Sequence, residues 1–178
     1  MFRRKPTPGD LIAAAALDVM RGKVKDVPAD DGMCLAFVRV VVQHALGLTF
    51  DEFYAHGVRV ESKVQNRPWW ARDMERGLRA KGWHVRTPRW GPDGDPARYA
   101  VTEERYLRPG DLLFRWDTAE NAFGEHVGHV GIYMGGGLVM ENIAPKYRHN
   151  SARLARHHSV SLTPLGDWPV TTVIRWRS

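Results

Sequence analysis

The sequence predicts an α+β fold in which helices come first and antiparallel strands follow. Apolar residues recur at helical spacing in the first half of the chain, at 11–21 and 33–47. In the second half, HVGIYMGGGLVMEN at 129–142 is typical of two short strands joined by a glycine turn. The segments between successive strands are too short for the crossovers that parallel pairing requires. These observations favour N-terminal helices packed on a central antiparallel β-sheet.

The composition is that of one globular domain spanning residues 1–178. The net charge of +6 and the pI of about 9.8 favour polyanionic partners such as nucleic acid, anionic lipid or an acidic bacterial wall. The basic residues are scattered, so charge alone does not choose among these partners. The single cysteine, Cys34, excludes an intrachain disulfide and a four-cysteine zinc site.

The N-terminal segment imitates a secretion signal because basic residues precede an apolar run. The run is short, Asp10 and Asp18 bracket it, and no small-residue cleavage site is evident. We therefore interpret it as an amphipathic helix with Asp10 as N-cap and Gly22 as its stop. No convincing signal peptide and no membrane span are predicted, so the protein is expected to be made in the cytoplasm.

Three further helices are predicted. The segment 33–47 is apolar nearly all round; its β-branched run would suit a strand, but its length and the closing Gly47 favour a helix. Residues 51–55 form a short helix. The segment 68–82 has Pro68 in its first turn and Gly82 as a stop.

Strands and loops alternate in the rest of the chain. We predict a loop with a short extended piece over 88–110 and a basic loop over 145–158. The predicted strands form an antiparallel meander after the helices, and they lie at 83–87, 110–116, 129–135, 138–142, 158–165 and 169–176.

Cys34 is the first candidate for chemistry because it lies at or near the start of a buried helix. Helix N-termini stabilise a thiolate, but the dipole contributes only about 0.3–1 kcal/mol when exposed. A nearby imidazole is therefore needed, and His129 is the candidate. His129 opens a strand, and Gly131 leaves space beside it.

A histidine that acts as a base needs an acceptor to orient its second nitrogen. The glycine turn folds the next strand back, so Glu141 can approach His129. Asn142 would normally face the other side, but it could be the orienting residue if the strand ends or bulges there.

Less specific interpretations remain open for each residue. A lone cysteine is more often a small buried side chain, and a histidine at a strand end is often structural. His126 and His129 have a spacing that suits a metal, but residues three apart on a strand face opposite sides, and no further ligand spacing supports zinc. Neither a metal nor another cofactor is predicted.

Taken together, the motifs resemble the papain-like cell-wall hydrolases of the NlpC and CHAP type. DDGMCLAFV is similar to the cysteine-bearing helix start of that family, and RPGDLLFRW to its PGDL-aromatic strand. GHVGIYMGGGLVMEN is similar to its histidine strand with the polar residue that follows, and TPLGDWPVTTVIRW to its closing strand. The region 49–107 matches least well.

The resemblance implies that Cys34 is the nucleophile, His129 the general base and Glu141 the third residue of the triad. An acidic residue at this third position is closer to the CHAP pattern than to the NlpC pattern. Two departures stand out. Met33 occupies the position where CHAP sequences tend to have glutamine, and no tyrosine precedes Cys34. The second oxyanion donor is therefore unassigned.

The implied function is hydrolysis of amide bonds in peptidoglycan, either as a stem-peptide endopeptidase or as an N-acetylmuramoyl-L-alanine amidase. Without an export signal, such an enzyme would reach the wall as a phage lysis or tail-associated protein, with peptidoglycan and virion proteins as partners. His126 and Trp116 are candidates for substrate binding; the alternatives are a loop histidine and a packing tryptophan.

Other classes of function are weighed against this one. A non-catalytic structural or assembly protein of a phage tail or injection machine could keep the same fold. Nucleic-acid binding is suggested only by the pI and lacks a recognisable motif, so nucleic acid is not a predicted partner. Lipid acyl transfer by the related permuted enzymes is disfavoured because the histidine follows the cysteine here.

Overall fold

The computed structural model describes residues 4–25, 34–55, 71–86, 104–115, 129–142, 153–154, 160–168 and 170–177, and these form an α+β arrangement of helices on an antiparallel sheet. The helices are α1 (Pro8–Met20), α2 (Cys34–Leu46), α3 (Phe50–Ala55) and α4 (Ala71–Ala80). The strands are β1 (His84–Arg86), β2 (Leu112–Arg115), β3 (His129–Gly135), β4 (Leu138–Asn142), β5 (Arg153–Leu154), β6 (Val160–Pro164) and β7 (Val170–Ile174). Short 3₁₀ turns lie at Glu104–Tyr106 and Leu165–Asp167.

Helix α1 begins earlier than predicted because Thr7, not Asp10, is its N-cap. The Thr7 hydroxyl accepts a hydrogen bond from the Asp10 backbone N–H at 3.2 Å, and the Asp10 carboxylate accepts one from the Thr7 N–H at 2.7 Å. This reciprocal capping box satisfies two N–H groups that the helix leaves without partners. The predicted stop is confirmed, since Gly22 follows the C-cap with φ of 69°.

Helix α2 confirms the helical interpretation of the apolar segment that begins near Cys34. It ends at Leu46, before Gly47 with φ of 66°. Helices α1 and α2 pack against each other and onto the sheet. The main core lies between these helices and one face of the sheet, and it includes Ile12, Ala16, Phe37, Val41, Ile132, Met140 and Ile174.

The sheet has seven strands in the order β1-β7-β2-β3-β4-β6-β5 among the described residues, and all neighbouring pairs are antiparallel. The predicted meander is therefore only partly correct. Strands β2, β3 and β4 follow each other in space, but β7 returns to lie between β1 and β2. Strand β5 falls inside the segment 145–158 that was predicted as a loop, and it pairs with the outer side of β6.

The two faces of β3 have different neighbours, and this difference positions the site. Val130 and Ile132 belong to the core beneath the helices, so His129 and Gly131 face the opposite side of the sheet. A second hydrophobic cluster covers that side, and it consists of Leu113, Tyr133, Val139, Leu165, Trp168, Val170 and Val173.

Of the helices in the described ranges, none has the length and apolar character needed to cross a membrane.

Candidate active site

Cys34 lies where the beginning of α2 meets the beginning of β3. Its side chain is half-buried. The backbone N–H groups of Leu35 and Val130 donate hydrogen bonds to its sulfur, and its side chain also hydrogen-bonds to His129. The N–H donors belong to the first turn of a helix and to a strand residue next to the histidine. The sulfur is therefore surrounded by donors that stabilise a negative charge.

These neighbours determine the ionisation of Cys34. Burial alone would raise the pKa of the thiol, but the charge of His129, its hydrogen bond and the two backbone donors outweigh burial. The net result is a pKa below the ordinary value of 9.0. The surroundings of Cys34 thus favour the thiolate more than water does.

His129 is buried, and its two ring nitrogens have different partners. Nε2 lies 2.8 Å from Oε2 of Glu141 on the neighbouring strand. Nδ1 is therefore the nitrogen that remains for the hydrogen bond to Cys34. The structure brings together the three residues that the sequence analysis selected.

The imidazole is stabilised in its charged form. Burial would lower the pKa of His129, but the Cys34 thiolate and the Glu141 carboxylate raise it from 6.5 to about 9. Because the pKa of Cys34 falls while that of His129 rises, the pair favours a thiolate beside an imidazolium. This charge distribution provides both a nucleophile and an acid in one contact.

Glu141 is almost completely buried, and both of its carboxylate oxygens have partners. Oε2 contacts His129, and Oε1 accepts a hydrogen bond from the Thr163 hydroxyl on β6. Burial would raise the pKa of Glu141, but its hydrogen bonds and the charges of His129 and Arg115 lower it. The carboxylate is therefore charged where it holds the imidazole.

Asn142 is not the residue that holds His129. Strand β4 continues through Asn142 in regular register with β6, where Glu141 pairs with Ser161 and Asn142 with Val160. Without a bulge at this point, Asn142 faces the side opposite Glu141. Of the two residues that the sequence left open, Glu141 is the one whose carboxylate contacts His129.

Trp168 is a neighbour of His129 that the sequence analysis did not select. Its ring meets the imidazole edge-on, with centroids 5.9 Å apart and an interplanar angle of 69°. The space beside Gly131 is filled by this ring, since a Cβ there would lie 2.4 Å from Cη2 of Trp168. A glycine two residues after a strand histidine is the signal that could have indicated a large neighbour on that face.

The two candidates for substrate binding, His126 and Trp116, lie outside the described part of the chain. Met33, which precedes Cys34, also lies outside it. Within the described residues, no group of three or more His, Cys, Asp or Glu side chains is arranged to hold a metal ion.

No protein-family model matches this chain, and no curated protein matches its sequence.

Proposed function

We propose that this protein is a papain-like cysteine hydrolase of the NlpC or CHAP type that cleaves amide bonds in peptidoglycan. One observation carries the proposal: a hydrogen-bonded series runs from the half-buried Cys34 through the buried His129 and Glu141 to Thr163. This is the order of nucleophile, base and orienting acid that nucleophilic hydrolysis requires.

In the first half of the reaction, the Cys34 thiolate attacks the carbonyl carbon of the amide, and the electron pair of the carbonyl moves to oxygen. Cys34 is the first residue of α2, so its backbone N–H has no partner within the helix and can donate to this oxyanion. The protonated His129 then gives its proton to the leaving nitrogen. The C–N bond breaks, the amine departs, and a thioester on Cys34 remains.

In the second half, His129 accepts a proton from a water molecule that attacks the thioester carbonyl. The C–S bond breaks, the carboxylic acid product leaves, and the thiolate and imidazolium are restored. Glu141 stays hydrogen-bonded to Nε2 of His129 throughout, so that Nδ1 is the nitrogen directed at the reacting atoms. Thr163 in turn fixes the carboxylate.

The substrate assignment is supported by the resemblance of the motifs around Cys34 and His129 to cell-wall hydrolases. The net charge of +6 is consistent with attraction of the protein to an anionic cell wall. We propose cleavage within the stem peptide or of the amide that joins it to the sugar, by a phage lysis or tail-associated enzyme that is made in the cytoplasm and acts on the cell wall.

The test is digestion of purified peptidoglycan with the wild-type protein and with Cys34→Ser, followed by mass spectrometry of the released muropeptides. We expect new peptide termini, or sugar chains freed of stem peptide, with the wild type only. Circular dichroism of Cys34→Ser checks that the fold is retained. No product from either protein would favour a non-catalytic assembly role, and equal products from the two would show that Cys34 is not the nucleophile.

A further inference from the structure

Arg115 stands beside the imidazole of His129. It is the last residue of β2, and it pairs directly with His129 across the antiparallel ladder. Side chains of directly opposed residues project from the same face, with Cβ atoms about 4.5–5.5 Å apart. The charge of Arg115 also lowers the pKa of Glu141, so Arg115 lies within electrostatic range of the carboxylate that holds His129.

The charge of Arg115 lowers the pKa of Glu141, but within the described part of the chain Arg115 makes no ion pair. Both oxygens of Glu141 are occupied by His129 and Thr163, so the donors of Arg115 are not committed to that carboxylate. Arg175, at the other end of the β2–β7 pair, provides the contrast. Its Nε and Nη2 atoms each donate to Asp111 at 2.8 Å, so its donors are committed to structure.

The position of Arg115 also indicates which part of a substrate it meets. Helix α2, which carries Cys34, packs on β3 and β4, whereas β2 lies on the other side of β3. His129 must pass its proton to the leaving nitrogen, so the leaving group lies next to His129. Because Arg115 pairs with His129, it borders the part of the site that the leaving group occupies.

We propose that Arg115 is a specificity-determining residue that binds a carboxylate on the leaving-group side of the scissile amide. The inference rests on the function proposed above and adds a substrate class: amides whose leaving amine belongs to a residue with a free carboxylate. A guanidinium binds a carboxylate through two parallel hydrogen bonds. An anion at this place also relieves the repulsion between two neighbouring cations, the guanidinium and the imidazolium.

Alkylation of the single cysteine tests this inference without a known substrate. The Cys34 thiolate attacks the methylene carbon of iodoacetate or iodoacetamide; a C–S bond forms, the C–I bond breaks, and iodide leaves with the electron pair. The two reagents differ by one negative charge. The ratio of their rates, followed by intact mass, therefore reports on attraction of a carboxylate to the site.

We expect Arg115→Gln to lower the iodoacetate-to-iodoacetamide rate ratio about fivefold or more, as loss of one nearby charge should. Arg115→Lys should keep most of the ratio. Arg105→Gln is the matched control, because it removes an equal charge from the exposed turn that precedes β2 and should leave the ratio unchanged. If Arg115→Gln changes the iodoacetamide rate itself, Arg115→Met, which retains the apolar stem, repeats the test.

The outcomes separate the two proposals. Rapid reaction with iodoacetamide, combined with an equal rate ratio in the wild type and in the Arg115 variants, would overturn the role of Arg115 and leave the hydrolase proposal standing. Slow reaction of the wild type with iodoacetamide at neutral pH would overturn both, because the thiolate on which they depend would be absent.

Discussion

Nε2 of His129 lies 2.8 Å from Oε2 of Glu141, so a buried carboxylate on one strand holds an imidazole on the next. The contact determines the orientation of the ring, since the nitrogen that remains is the one that reaches Cys34. It also raises the proton affinity of the imidazole. Cys34 contributes most to the raised pKa of His129, and the hydrogen bond to Glu141 adds to it while it orients the ring.

Replacing Glu141 tests this relationship. Glu141→Gln keeps the size of the side chain but removes its charge, so the imidazolium loses its stabilising partner. We expect kcat/KM for peptidoglycan fragments to fall by roughly 10²-fold, the lower end of what a positioned acid–base group contributes. Glu104→Gln is the control, since that carboxylate accepts a hydrogen bond from Tyr133 at 2.8 Å and takes no part in the proposed site. Equal losses in the two variants would argue against an orienting role.

Thr163 is predicted to matter through Glu141. Thr163→Val removes the hydroxyl that donates to Oε1, which leaves a buried carboxylate oxygen without its donor. We expect the free energy of unfolding to fall by about 1–3 kcal/mol in denaturant titrations at neutral pH. Thr163→Ser retains a hydroxyl and should lose less.

The same substitution has a pH signature. Native contacts lower the pKa of Glu141 from 4.5, so its stabilising contribution is present above 4.5 and is lost as the pH falls through the lowered value. Without Thr163 the pKa rises, and the acidic limb of the activity profile should move to higher pH. An unshifted acidic limb in Thr163→Val would contradict this coupling.

Gly131 and Trp168 are predicted to be coupled. A Cβ at Gly131 would lie 2.4 Å from Cη2 of Trp168 and 2.8 Å from the Met140 carbonyl oxygen. Gly131→Ala should therefore destabilise the protein by about 1–3 kcal/mol and disturb the adjacent imidazole. Trp168→Phe removes the outer part of the ring, so the double variant should recover part of the stability. A double-mutant cycle with no coupling energy would rule out this contact.

Local sequence signals predicted most of the elements but not their exact beginnings or all of their partners. Gly22 and Gly47 mark helix ends because their positive φ suits few other residues. Asp10 alone indicates a helix start at that residue, whereas the capping box uses Thr7 and Asp10 together and starts α1 earlier. The position of β7 between β1 and β2 depends on pairing between distant segments, which leaves no local pattern.

The site was predictable to the extent that it follows strand alternation and the hairpin turn. These two rules bring Glu141 to His129 and turn Asn142 away. The approach of Trp168 could not be derived in the same way, because it comes from a turn after β6 that packs on the far face of the sheet. The pairing of Arg115 with His129 required the register of β2, which the sequence does not specify.

The ion pair between Cys34 and His129 is tested most directly by the rate of iodoacetamide alkylation of Cys34 as a function of pH. In the wild type, we expect the rate to rise as the pH passes a thiol pKa below 9.0, and to change again at about 9, where the imidazolium loses its proton. In His129→Ala, the rise should move to higher pH, towards that of an ordinary thiol. A single ionisation near 9.0 in both proteins would contradict the ion pair and the hydrolytic function proposed from it.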